Sequence, residues 1–287
     1  MSTTSQTCEY VLDPNDPRTW GGSRGEQCYL DDDALDESGV WQCPHDTVRG
    51  EDQCLFHLPV AEKDDAVVAD AFVETVTAAM ESADEGRSDV RLIGARFGEF
   101  DLGRLAPTFQ NADGGLDLSY ATVSGAFDWS TVTLNLGYTY FIGTRFKQTA
   151  TFADTTFGDY VAFLATEFGG PAKFTAATFH DEGDFRAARF HETAEFAGAR
   201  FGDRADFSSV QFFGDADFSS VEMGGDGVFS RAEFKMGFSL ADATIGGNAN
   251  FRAIKVFGTP DFDTLTVDGQ TTVEFAEFDE VDSSGLL

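Results

Sequence analysis

The sequence predicts an all-β solenoid, and three observations within residues 141–278 predict it. First, one large apolar residue recurs at alternating gaps of five and six, from Phe141, Phe146, Phe152, Phe157 and Phe163 through to Val267, Val273 and Phe278, without a break. A period held this long means one structural unit reused, each copy burying its apolar face on the next. Second, the residue two before an anchor is small or apolar (Ala150, Val161, Ala172, Ala188, Ala205, Ala216, Ala249), and the one between is polar (Lys173, Arg189, Asp206, Asp217, Glu222). Positions i−2 and i share one side of an extended segment, so both point inward and i−1 points out. Third, a helix with 3.6 residues per turn would smear anchors at five and six around its circumference. Short strands joined by corners keep them aligned.

The two gaps differ in chemistry. Six-residue steps carry Gly, Asp or Pro just after the anchor, as in Phe157-Gly158-Asp159, Phe168-Gly169-Gly170-Pro171 and Phe201-Gly202-Asp203. Five-residue steps, such as Phe174 to Phe179 and Phe185 to Phe190, have almost no glycine. This predicts a looser corner with φ > 0 at the six-residue steps and a tight one at the five-residue steps.

Ala-Asp-Phe-Ser-Ser at Ala205–Ser209 and Ala216–Ser220, and Ala-Arg-Phe-His-Glu at Ala188–Glu192, resemble the pentapeptide-repeat family. Its unit is a small residue, a variable one, a central Leu or Phe, and two more. The resemblance runs through most of residues 90–279 and is of a haloarchaeal, Phe-centred type. It implies a right-handed quadrilateral β-helix with one repeat on each of four faces. The 11-residue double unit predicts a coil of 22 residues rather than 20, slightly rectangular in section. Residues 141–278 then form about 6.5 coils and a rod roughly 30 Å long, with phenylalanine rings stacked in ladders inside.

Upstream, the rod begins at Val90, with Leu92, Phe97 and Leu102 five apart. The register blurs through 103–117, where Pro107 and Gly114-Gly115 predict a protruding loop. It returns at Leu118, Val123, Trp129 and Leu134, then slips by one residue into Phe141. Residues 60–86 carry one amphipathic helix, read over Ala61 to Asp84 with Phe72, Val73 and Val76 on its apolar stripe and Gly86 as its stop. Its expected role is a lid over the open end of the solenoid, which would otherwise expose strand edges; a dimerising or partner-binding helix is the alternative. Residues 280–287 form an acidic C-terminal tail, and a homodimer through this rod end stays open.

Residues 1–59 are a different material, holding all four cysteines, two of the four histidines and four of the seven prolines. With no apolar leader and no run of 18 apolar residues, the chain reads as cytoplasmic and not membrane-bound. In that compartment four thiols point to structural zinc more than to disulfides, and a segment with little core gains folding energy from such a staple. The expected ligands are Cys8, Cys28, Cys43 and Cys54, with His45 (in Cys43-Pro44-His45) or His57 (in Cys54-Leu55-Phe56-His57) able to replace one. The gaps include no CxxC pair, so free buried thiols and disulfides stay open. Tyr10, Trp20, Tyr29 and Trp41 are expected to pack around the same nucleus.

The net charge is −31, with 50 acidic residues against 19 basic. An organism living in molar salt accounts for it, since net charge speaks first to solubility. The sharper reading, prompted by the quinolone-resistance members that the rod resembles, is a DNA-mimic modulator of a type II topoisomerase. Direct nucleic-acid binding is disfavoured, because no basic stripe exists to release phosphate counterions. No catalytic or cofactor-binding residues are expected. The rod's histidines, His180 and His191, follow anchors two faces apart, and no glycine-rich phosphate loop opens a helix. The expected function is a non-catalytic acidic scaffold for an unknown protein partner.

Overall fold

The computed structural model describes residues 6–23, 26–30, 32–81 and 89–278. Residues 82–86 of the lid segment and the tail 280–287 lie outside them. Residues 89–278 wind into a parallel β-solenoid whose first face stacks nine strands, one per coil. The 22-residue step holds from Arg145 on: Arg145 lies opposite Glu167, Glu167 opposite Arg189, Arg189 opposite Gln211. Nine levels at ~4.8 Å give a rod about 40 Å long.

Four faces follow in order along each coil. The first is anchored by Phe146, Phe168, Phe190, Phe212 and Phe234; the second by Phe152, Phe174, Phe196 and Phe218; the third by Phe157, Phe179 and Phe201; the fourth by Phe141, Phe163, Phe185, Phe207, Phe229 and Phe251. All are buried. Rings on one face stack nearly parallel from coil to coil, with centroids 4.7 Å apart from Phe174 to Phe196 and again from Phe196 to Phe218. Rings on opposite faces meet edge to face across the core, Phe185 to Phe196 at 5.3 Å. Alanines at i−2 keep the wall thin enough for the rings to meet. Where Thr144, Thr155 and Thr166 take that place, each hydroxyl donates to a carbonyl of the coil before it.

The corners reverse the expectation from composition. The left-handed residues are Asp154, Ala165, Ala176, Ala187, Ser209, Ser220 and their successors, two after the anchors of the second and fourth faces, with φ near 55°. They sit at the glycine-poor, five-residue steps. The glycines of the six-residue steps answer a different need: a Cβ at Gly202 would run into the His180 carbonyl oxygen one coil earlier, and one at Gly158 into that of Leu136. Close stacking of backbones, not φ > 0, selects glycine there.

The predicted loop at 103–117 is also corrected. Most of it is the longest strand, Thr108–Asp117, which pairs in parallel with Thr133–Tyr140 across a bulge between Asn111 and Gly115. These two strands each run along the third and fourth faces and join them into one sheet. The extra residues lengthen the early coils instead of leaving the rod. Pro107 precedes the strand, where its missing N–H costs nothing.

The long helix, Asp65–Glu81, is capped by Asp64, whose carboxylate accepts from Ala66 and Val67 N–H. It lies across the first coil. Phe72 is fully buried against Phe100 and Trp129, and the Asp65 carboxylate accepts from the Glu99 amide. At the opposite end, Phe262, Val267, Val273 and Phe278 are only partly buried.

Candidate metal centre

Among the described residues the N-terminal module has one two-stranded pair, Val11–Leu12 against Trp41–Gln42. That pair and its flanking backbone hydrogen bonds, Cys8 N to His45 O and Cys43 N to Tyr10 O, set Cys8 and Cys43 side by side. The chain then returns through a tight turn, with His57 N and Leu58 N both donating to Cys54 O. This turn brings the third sulfur and an imidazole to the first two.

The donor atoms of Cys8, Cys43, Cys54 and His57 lie within 4.8 Å of one another, all buried. The Cys43 and Cys54 sulfurs are 3.8 Å apart, and His57 Nδ1 is 3.1 Å from the Cys54 sulfur and 3.7 Å from that of Cys8. A tetrahedral zinc with sulfurs at 2.3 Å requires sulfur–sulfur edges of about 3.8 Å and sulfur–nitrogen edges of about 3.5 Å. The set is therefore already near the size a metal ion needs, and far too open for a disulfide. His57 Nε2–H donates to Ile93 O at 2.9 Å, which turns Nδ1 toward the sulfurs. Tyr10 stacks on the imidazole at 4.1 Å, and Cys54 N–H donates to the Cys8 sulfur.

Without metal, the cluster shares its protons. The Cys43 thiol donates to Cys54, and with His57 this outweighs burial to hold Cys54 down at about 3. Burial pushes His57 down, but its bonds to Cys54 and Cys8 prevail and raise it to about 9. Hydrogen bonding to the Cys54 thiolate and burial together push Cys43 far up. A metal replaces these protons with one dication.

The structure brings together three of the four expected cysteines and adds His57. Cys28 stands apart, half-buried against the rod, where it helps burial raise the Tyr120 hydroxyl. Its place in the set goes to His57, the last residue of the Cys54–His57 turn, because both ends of that turn face the same nucleus. His45 points elsewhere, to Arg91 O. The aromatic residues divide in the same way. Tyr10 and Trp41 flank His57, whereas Trp20 packs on Tyr120 and Tyr29 N–H donates to the Tyr120 hydroxyl.

The centre also joins module to rod. His57 reaches Ile93, Arg96 N–H donates to Phe56 O, and the Lys63 ammonium bridges Leu55 O, Phe56 O and Arg96 O. Burial lowers Lys63 to about 8. In the rod, His180 follows a third-face anchor and His191 a first-face anchor, so the two are on opposite sides. His191 is bonded to Glu167 and stacked on Phe213. The buried Asp184 carboxylate is matched by the Tyr160 hydroxyl and the Arg186 guanidinium, an internal ion pair.

These features define a parallel β-solenoid with a four-donor cluster clamping a small module to its first coil. A family model for pentapeptide repeats, in nine copies, matches residues 163–211, a stretch inside the rod. No curated protein matches the chain. Among the described residues no helix is long and apolar enough to cross a membrane.

Proposed function

We propose that the protein is a non-catalytic, acidic repeat scaffold for protein–protein interaction, with a structural zinc ion in the N-terminal module. The observation that carries the zinc reading is the donor set: three sulfurs and one imidazole at tetrahedral spacing leave a metal no open position for substrate. Supporting the scaffold reading, the rod's interior is filled by stacked rings, and its outward positions form ladders of single residues repeated at one spacing. Such a surface presents side chains to a partner without reorganising. The acidic surface suits a protein kept dissolved at high salt inside the cell.

The test is site-specific photo-cross-linking in the host cell, with the probe placed singly at outward positions of all four faces. A scaffold yields one protein repeatedly from adjacent positions on one face, and a charge reversal there abolishes its co-purification. Cross-links without a preferred face would sink the reading, and a type II topoisomerase as the product would favour DNA mimicry. Native mass spectrometry of the full chain tests the metal separately: one zinc per chain is expected.

A further inference from the structure

Of the five lysines, Lys173 lies on the second face, and Lys147, Lys235 and Lys255 lie on the first face and its corner with the second. So do three of the exposed large apolar residues, Phe213, Met236 and Phe257. The outward column of the first face reads Glu167, Arg189, Gln211, Glu233, Lys255 on successive coils. Its charges run minus, plus, zero, minus, plus. Reversed end to end and laid on itself about Gln211, the column pairs Arg189 with Glu233 and Glu167 with Lys255. Each charged residue of this column meets the opposite charge, and Gln211 meets Gln211 at the axis. Under the same operation the next column, Gly169, His191, Phe213, Lys235, Phe257, sets Phe213 on Phe213, His191 beside Lys235, and Phe257 on Gly169, which has no side chain.

We propose that the first face is a self-association surface, and that its occupant is a second copy of this chain packed antiparallel about a two-fold axis through Gln211. An isologous contact needs a surface complementary to its own reversal, and this face has one. A parallel pairing would flip the columns and set Arg189 against His191. Two chains of net charge −31 repel, so they approach where cations are concentrated, and molar salt screens the remaining repulsion to within about 3 Å. Within one chain, Phe213 is covered on one side by His191 and Phe257 by the Lys235 ammonium at 4.2 Å; both rings remain more than a third exposed. The same operation lays the N-terminal module of one copy along the C-terminal half of the other, where Arg231 and Phe275 are exposed. The patch spans five coils, about 24 Å, at the small end of specific interfaces, so the dimer is concentration-dependent. This inference does not rest on the scaffold reading, and holds or fails without a heterologous partner.

The test is sedimentation equilibrium of the full chain in molar potassium chloride, with charge-reversal variants. Arg189→Glu places two like-charged pairs across the axis and is expected to raise the dimer dissociation constant at least ~10-fold. Adding Glu233→Arg restores opposite charges between copies while making each half of the column like-charged within each copy. Recovery to within about 3-fold of the parent therefore supports the antiparallel face; a double variant weaker than Arg189→Glu alone overturns it. Gln211→Cys, at the axis, should cross-link to a covalent dimer with a short bismaleimide, and Thr244→Cys on the third face should not. A parent that stays monomeric at millimolar concentration, or a dimer whose scattering shows nearly twice the rod length, overturns the proposal.

Discussion

Phe196, at the middle of the rod, and His57, at the middle of the module, are both fully buried. Phe196 has the same ring above and below it at 4.7 Å and edges from Phe185 and Phe207 beside it. His57 has three sulfurs, the Tyr10 and Trp41 rings and one carbonyl around it, a set not repeated among the described residues. Rod stability is therefore a sum of similar small terms, each shared with two neighbours. The module concentrates its stability in four atoms. Damage is therefore expected to degrade one region gradually and the other at once.

The largest break in this comparison should come from removing the proposed zinc. Structural zinc contributes on the order of 10 kcal/mol to small domains, so a chelator, or Cys54→Ser, should melt the module while the rod persists. Far-ultraviolet dichroism would keep its β signal, and protease would cut before residue 60. Loss of the rod in the same transition would show that the two regions are one cooperative unit. Next, Phe196→Ala should cost about 3–5 kcal/mol without moving the metal stoichiometry, and Phe278→Ala, half-exposed at the last coil, clearly less. Denaturant titration reads both.

The two regions should also differ in pH response. In the metal-free protein His57 is raised to about 9. Its contribution is fully present below its unfolded value of about 6.5 and is lost as pH climbs through 9. Metal-free module stability should fall on the alkaline side, whereas metal affinity should rise with pH over the same range, because binding displaces protons from Cys43 and His57. Equal pH slopes for both forms would remove His57 from the ligand set. Smaller still, Ala176→Gly relieves a left-handed alanine (φ 54°) and should stabilise the rod by roughly 0.5–1 kcal/mol. The smallest effect belongs to Cys28→Ser, which should leave one zinc per chain; loss of zinc would return Cys28 to the ligand set.

What the sequence alone determined is the rod. The five–six alternation, the small i−2 residues and the 22-residue coil needed only the period-two geometry of a strand, because every coil contacts only its neighbours and a local pattern dictates a local packing. It also marked the Cys-rich module and the helix over the first coil. Tertiary structure decided the rest. Cys8 meets Cys54 and His57 across more than forty residues of irregular chain, and no period encodes which of four cysteines and two histidines will converge. Glycine could be read as conformational freedom or as thinness, and only the stacked carbonyl of the preceding coil chose the second. The strand at Thr108–Asp117 looked like a loop because proline and glycine were counted without the neighbouring strand that receives it. The charge ladder of the first face was present in the sequence all along, spaced 22 residues apart. It became a surface only when the coils were stacked.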